Sequence, residues 1–156
     1  MSDVIIGRKL EQEILRQRIE SKSPELIAIY GRRRIGKTYL VRQFFKDTFS
    51  FYSTGIYQGT KKEQLGEFTR QLEYYSGRKW KVAKDWFDAF AQLREYLESI
   101  DGDSPIVVFL DELPWMDTQK SRFIKAFEYF WNSWGTTNHR LKLIVCGSAT
   151  AWMREN

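Results

Sequence analysis

Four residues in the stretch YGRRRIGKTYL (30–40) have the types and spacing to hold a polyphosphate. Gly31, Gly36, Lys37 and Thr38 fit the pattern G-x-x-x-x-G-K-[ST] at every fixed position. A loop that wraps a phosphate must turn sharply and aim its N–H groups inward, and glycine permits both. A helix that follows presents free N–H groups and the positive end of its dipole to the anion. Lys37 would add a mobile charge near the β- and γ-phosphates, and the Thr38 hydroxyl is suited to ligate Mg²⁺. Arg32, Arg33, Arg34 and Ile35 fill the free positions, where backbone N–H groups matter more than side chains. The arginine heads are therefore expected at least partly in solvent. The nucleotide contacts expected of this loop run from Gly31 through Tyr39. A basic turn capping a helix would carry similar letters, but an apolar strand before the loop and a helix after it favour the phosphate cradle.

Such a loop needs a carboxylate to hold magnesium, and that residue should end a buried strand parallel and adjacent to the first. IVVFLDE (106–112) supplies one: Asp111 stands where the apolar run stops, with Glu112 next. Asp111 would hold the metal with Thr38. Glu112 could orient or deprotonate a water for attack on the γ-phosphate. A further strand end, LIVCGS (143–148), offers Ser148 as a polar group near the γ-phosphate.

The elements that must carry these residues can be read from apolar periodicity. GRKLEQEILRQRIES places Leu10, Ile14, Leu15 and Ile19 on one helical stripe. LIAIY (26–30), SFYST (50–54), IVVFL (106–110) and LKLIVCGS (141–148) read as strands, and the continuous apolar ones as strands buried on both faces. Helical stripes follow the glycine loop at Leu40, Val41, Phe44 and Phe45, then at Leu65, Phe68, Leu72 and Tyr75. A third runs through Phe87, Phe90, Leu93 and Leu97. The clearest runs through Phe123, Ile124, Phe127, Phe130, Trp131 and Trp134, with Gly135 as its stop. Strands alternating with helices predict an α/β layered fold with a mostly parallel sheet, which binds ligands beyond the carboxyl ends of its strands.

Composition narrows the class further. Of 156 residues, 42% are hydrophobic, which excludes a disordered chain. The net charge of +5 is spread along the sequence, so solvated helix faces explain it better than a nucleic-acid tail. The triplet Lys79-Trp80-Lys81 is too short to change that reading. Cys146 has no disulfide partner and His139 no companion ligand, so a buried thiol and a surface imidazole are expected. Trp115, beside the acidic pair, is a candidate contact for a partner domain. No signal-peptide or membrane-spanning run is present, and a cytoplasmic setting without a membrane partner is expected.

The motifs GRRRIGKT (Walker A), IVVFLDE (Walker B) and IVCGS resemble those of AAA+-type P-loop ATPases. The likeness is closer to the prokaryotic archaeal-type ATPase group, a relative of the STAND NTPases. VIIGRKLEQEIL is similar to that group's N-terminal signature, and DELPWM and FWNSWG look like its style. The resemblance implies a P-loop NTPase core of three α/β/α layers, with ATP and Mg²⁺ as ligands. It implies Gly31, Gly36, Lys37 and Thr38 in the phosphate loop, Asp111 on the metal, Glu112 as catalytic base and Ser148 as sensor 1. It also implies Ile6, Gly7 and Arg8 near the adenine. That family's sheet has five strands in the order 5-1-4-3-2 and then a helical lid, whereas four strands are legible here. Residues 1–156 are therefore expected to be the N-terminal part of a nucleotide-binding domain excised from a longer chain. Its own lid and further domains would be its partners. The strand LIAIY would then be an open edge and a route to homo-oligomers. Without an arginine to stabilise the transition state, slow hydrolysis is expected.

Two other classes stay open at this point. A small-molecule P-loop kinase would share the loop but would not need Glu112 beside Asp111. A nucleic-acid-binding module regulated by ATP fits the basic balance and would show steep salt dependence. A guanine-nucleotide switch lacks its Asn-Lys-x-Asp segment.

Overall fold

The computed structural model describes residues 12–30 and 36–147. The elements in chain order are helix α1 (12–20), strand β1 (Glu25–Tyr30), α2 (Lys37–Phe44), β2 (Phe51–Thr54), α3 (Lys61–Ser76), α4 (Trp86–Glu98), β3 (Ile106–Asp111), the short α5 (Leu113–Met116), α6 (Phe123–Ser133) and β4 (Leu141–Gly147). A single 3₁₀ turn, Gly135–Thr137, joins α6 to β4.

The four strands form one sheet in the order β1-β4-β3-β2, every neighbouring pair parallel. This is the four-stranded part of the order that the resemblance implies. It also corrects one expectation. β3 is parallel to β1 but not next to it, because β4 lies between them. β3 and β4 are buried along their whole length, as the apolar runs IVVFL and LIVC predict, and that burial takes in Lys142 and Asp111 as well. Within the described sheet β1 is an edge.

Strand side chains alternate between two faces, and each face has its own core. On one side Ile27, Val107, Phe109, Ile144 and Cys146 meet Leu15 of α1 and Val41 of α2. On the other, Phe51, Val108, Leu110, Leu143 and Val145 meet α3, α4, α5 and α6. The layers are thus α/β/α. The second core is aromatic: Trp86 is fully buried, with Phe68 edge-on at 5.4 Å and Phe123 at 4.8 Å. Each such ring contributes about 1.5–3 kcal/mol from burial alone.

Local chemistry sets the helix ends. Thr60 and Glu63 form a reciprocal capping box at the start of α3, and Gly77 ends it in the left-handed region at φ 72°. The Asp85 carboxylate accepts the Asp88 N–H at 2.8 Å at the start of α4.

Two stripes differ from the sequence reading. Ile14 is 44% exposed while its neighbour Leu15 is buried, so α1 presents a narrower apolar face than its spacing suggests. In α4 the buried line is Trp86, Ala89, Phe90, Leu93 and Leu97. Phe87 is half-buried at the rim beside Tyr129.

Candidate functional site

The candidate site residues divide between described and undescribed positions. Ile6, Gly7, Arg8, Gly31, Arg32, Arg33, Arg34, Ile35 and Ser148 lie outside the described residues. Gly36 is the N-cap of α2, at φ 82° and ψ 18°. That backbone angle is costly for any side chain, which accounts for glycine at this position. Glycine also leaves the first turn of α2 without a capping side chain, and no acidic residue occupies that turn. A helix start of this kind suits an anion. Lys37 begins the helix, Thr38 is half-buried in its first turn and Tyr39 is 54% exposed.

The central contact joins the two motifs. Thr38 Oγ1 donates to Asp111 Oδ2 at 2.6 Å. That separation is typical of a hydroxyl bonded to a charged carboxylate. Asp111 is 4% exposed, and its Oδ1 accepts the Glu112 N–H at 2.9 Å. The contact spans a whole strand. α2 follows β1, Asp111 ends β3, and β4 lies between those strands, so the contact reaches across β4; Val41 of α2 shares one core cluster with residues of all three strands.

Glu112 stands where the chain leaves the sheet. Its φ of 50° and ψ of 46° are left-handed, an uncommon state for a residue with a side chain. The turn ends β3 and starts α5, a helix that the sequence reading does not contain. Pro114 in its first turn favours that start. Four residues are too few for helical periodicity to register. Trp115 is half-buried, edge-on to the exposed Tyr57 at 4.7 Å.

Tyr52, on β2, pairs with Phe109, two residues before Asp111, and was not singled out by the sequence. Burial pushes its phenol up to about 12, and the charge of Asp111 adds to that. Its ring stacks against Phe49 and tilts against Phe109, on the α2 face of the sheet. No motif marks it.

The donor set suits Mg²⁺. A hydroxyl and a carboxylate oxygen are the hard ligands this ion takes, with its remaining positions left to water and phosphate oxygens. The described residues hold no cluster of three or more His, Cys, Asp and Glu, so they build no closed metal cage. His139 is exposed and Cys146 is a buried thiol. Trp80 is half-buried, with the Arg78 guanidinium 3.8 Å over its ring and its Nε1 donating to Ser76 Oγ at 2.9 Å. That leaves little of it as a stacking platform for a base. No helix among the described residues is long and apolar enough to cross a membrane.

Comparison with known proteins decides the family. The model of an ATPase domain predominantly from Archaea matches residues 6–156. The chain belongs to that ATPase family. It is an ATP-binding ATPase domain with a P-loop NTPase-like fold. The Walker-type ATPase PABY2304 of Pyrococcus abyssi shares its fold at TM-score 0.63 and 18% identity, over 95% of this chain and 47% of that one. The structure of Drosophila ORC bound to DNA contains a chain similar at TM-score 0.61 and 15% identity, over 90% and 37%. At those identities the likeness concerns the fold alone. An uncharacterized protein of Methanocaldococcus jannaschii, MJECL04, is 25% identical over 152 residues, 97% of this chain and 31% of that protein. The uncharacterized ATP-binding protein MJ0423 of the same organism is 39% identical over 44 residues, 28% of this chain and 75% of that protein. The ATPase domain thus spans under half the length of MJECL04 and of both structural neighbours.

Proposed function

We propose that this ATPase domain binds Mg·ATP and uses its hydrolysis to drive a motor or switch in a longer protein. The observation that carries the reading is the 2.6 Å contact between Thr38 Oγ1 and Asp111 Oδ2. It brings the hydroxyl of one motif and the carboxylate of the other to one point, where a divalent cation suits both. Thr38 and Asp111 are the proposed metal ligands, Asp111 through the ion's water shell. Lys37 pairs with the β- and γ-phosphates. The first-turn amides of α2, with Gly31 to Tyr39, cradle the phosphate tail. Glu112 takes the proton of the attacking water, Ser148 contacts the γ-phosphate, and Ile6, Gly7 and Arg8 flank the base. Magnesium, when bound, offsets the charge that develops on the transferred phosphoryl group. Arg32, Arg33 and Arg34 take part in that cradle through their backbone N–H groups rather than their guanidinium heads.

Calorimetry with Mg·ATP and Mg·GTP on the wild type and on Lys37→Ala tests the cradle. Mg·ATP is expected to bind, and loss of the ammonium to weaken binding by about 10-fold or more. Unchanged affinity in Lys37→Ala removes the assignment.

A further inference from the structure

The connection between β2 and α3 meets the acidic pair from behind. Gly55 N–H donates to the Asp111 carbonyl at 2.9 Å. A Cβ built on Gly55 would lie 2.4 Å from the Glu112 carbonyl oxygen, 2.9 Å from Trp115 Cβ and 3.1 Å from the Met116 nitrogen. Two of these three atoms are backbone and cannot swing aside. Gly55 therefore lies flush against the peptide whose left-handed angle, φ 50°, sets where the Glu112 side chain leaves the sheet.

The connection is itself held from inside. Gln64 of α3 is 2% exposed. Its Nε2 donates to the Ile56 carbonyl at 2.8 Å and the Gly59 carbonyl at 3.2 Å, and its Oε1 accepts the Ile56 N–H at 2.9 Å. On the far side the Tyr57 ring closes edge-on against Trp115. A residue with a side chain stays in the left-handed region only where its surroundings over-determine it. For Glu112 those surroundings are the strand before it, α5 after it and this connection beneath it.

We infer that Gly55 and Gln64 are positioning residues for Glu112. Gln64 fixes the course of residues 56–59, and Gly55 lets that course approach the Glu112 peptide closely enough to hold its angle. The inference rests on the reading of Glu112 as the base, and it adds a control on that base from a connection outside the proposed phosphate cradle. A base displaced by about 1 Å can lose roughly 100-fold in rate while the phosphate grip is untouched.

The test compares the wild type, Gly55→Ala, Gln64→Leu, Glu112→Gln and the Gly55→Ala/Glu112→Gln double variant. Gly66→Ala is the control, since a Cβ there meets nothing within 4 Å. Single-turnover hydrolysis of Mg·ATP with protein in excess gives the chemical rate, and calorimetry gives Kd. Gly55→Ala and Gln64→Leu are each expected to slow hydrolysis roughly 10- to 100-fold with Kd within about threefold. Gly55→Ala is expected to add no slowing to Glu112→Gln. Gln64→Leu removes the hydrogen bonds without adding bulk at the turn, and it carries the test should Gly55→Ala not fold. Wild-type rates in the folded variants, loss of binding in step with rate, or further slowing on top of Glu112→Gln would overturn the inference. If Glu112→Gln itself hydrolyses at the wild-type rate, the base reading falls and the inference with it. An impaired Glu112→Gln beside an unimpaired Gly55→Ala overturns the inference alone.

Discussion

Replacing Thr38 by valine removes one oxygen and keeps the shape. The hydroxyl donates at 2.6 Å to a carboxylate that is 4% exposed, so water has little room to take its place. A hydrogen bond to a charged group of this kind is worth about 1.5–3 kcal/mol. In a 156-residue domain each kcal/mol moves the melting temperature by about 2–4 °C, so a drop of roughly 3–12 °C is expected. Thr38→Ser keeps the donor and should melt close to the wild type. The assay is thermal unfolding without nucleotide and with EDTA, which isolates the protein's own contact from any metal. The same variants then go to calorimetry with Mg·ATP. There Thr38→Val should lose most of the benefit of magnesium and Thr38→Ser should retain it. Two results would count against the reasoning. A valine variant melting within about 1 °C of the wild type would mean that the hydroxyl is not given to Asp111. A valine variant with full magnesium-dependent affinity would mean that Thr38 is not a ligand.

Two further outcomes follow from buried groups away from the phosphates. Lys142, 1% exposed, donates to the Ser21 carbonyl at 2.9 Å, Ser21 Oγ at 3.2 Å and the Ser23 carbonyl at 2.5 Å, tying the α1–β1 turn to β4. Burial pushes its ammonium below the usual lysine value, with Glu25 opposing. Lys142→Ala should cost about 2–4 kcal/mol in urea denaturation, and a loss under 0.5 kcal/mol, of the order of a surface change, would refute the clamp. Tyr52 titrates at about 12 in the fold against an ordinary 10.0, so its neutral form is favoured by folding. Its contribution is complete below pH 10 and is lost as pH rises through about 12. Melting curves of Tyr52→Phe between those limits should fall less steeply with pH than the wild type; identical slopes would remove Tyr52 from the account.

The sequence was most legible where burial is complete on both sides. The runs IVVFL of β3 and LIVC of β4 are continuously apolar, and flanked by DGDSP and TTNHR they are too short to be mistaken for helices. It was less legible where two large side chains compete for one core position. Trp86 and Phe87 are adjacent, and periodicity alone cannot say which is inside; Asp85 as N-cap sets the phase of α4 and turns Trp86 inward. Lys142 was passed over for a different reason. Hydropathy places lysine at the surface, and only the turn carbonyls of Ser21 and Ser23, brought in by the crossing from α1 to β1, make its burial tolerable. Strand adjacency was misjudged because the rule that pairs the two motifs concerns their chemistry, whereas the order of strands depends on where the last one inserts.

That insertion gives the site its shape. Tyr30 pairs with Gly147, and Leu110 pairs with Val145. β4 therefore ends between the last residue of β1 and the carboxylate at the end of β3. Its last described residue, Gly147, stands one step before Ser148 in the sequence. With β4 inserted, α2 must reach across one strand to bring Thr38 to Asp111. Its buried Val41 belongs to the core cluster that includes residues of β1, β4 and β3. The same order sends β2 to the far side of β3, where Gly55 can meet the Glu112 peptide from the side away from the phosphate loop. In this order α2 reaches the Asp111 side chain, while the β2–α3 connection meets the Asp111 and Glu112 carbonyls. The Glu112 N–H also donates to Asp111 Oδ1, so the two residues share a contact; under the proposed roles Thr38→Val should fail first in magnesium-dependent binding and Gly55→Ala first in the chemical rate.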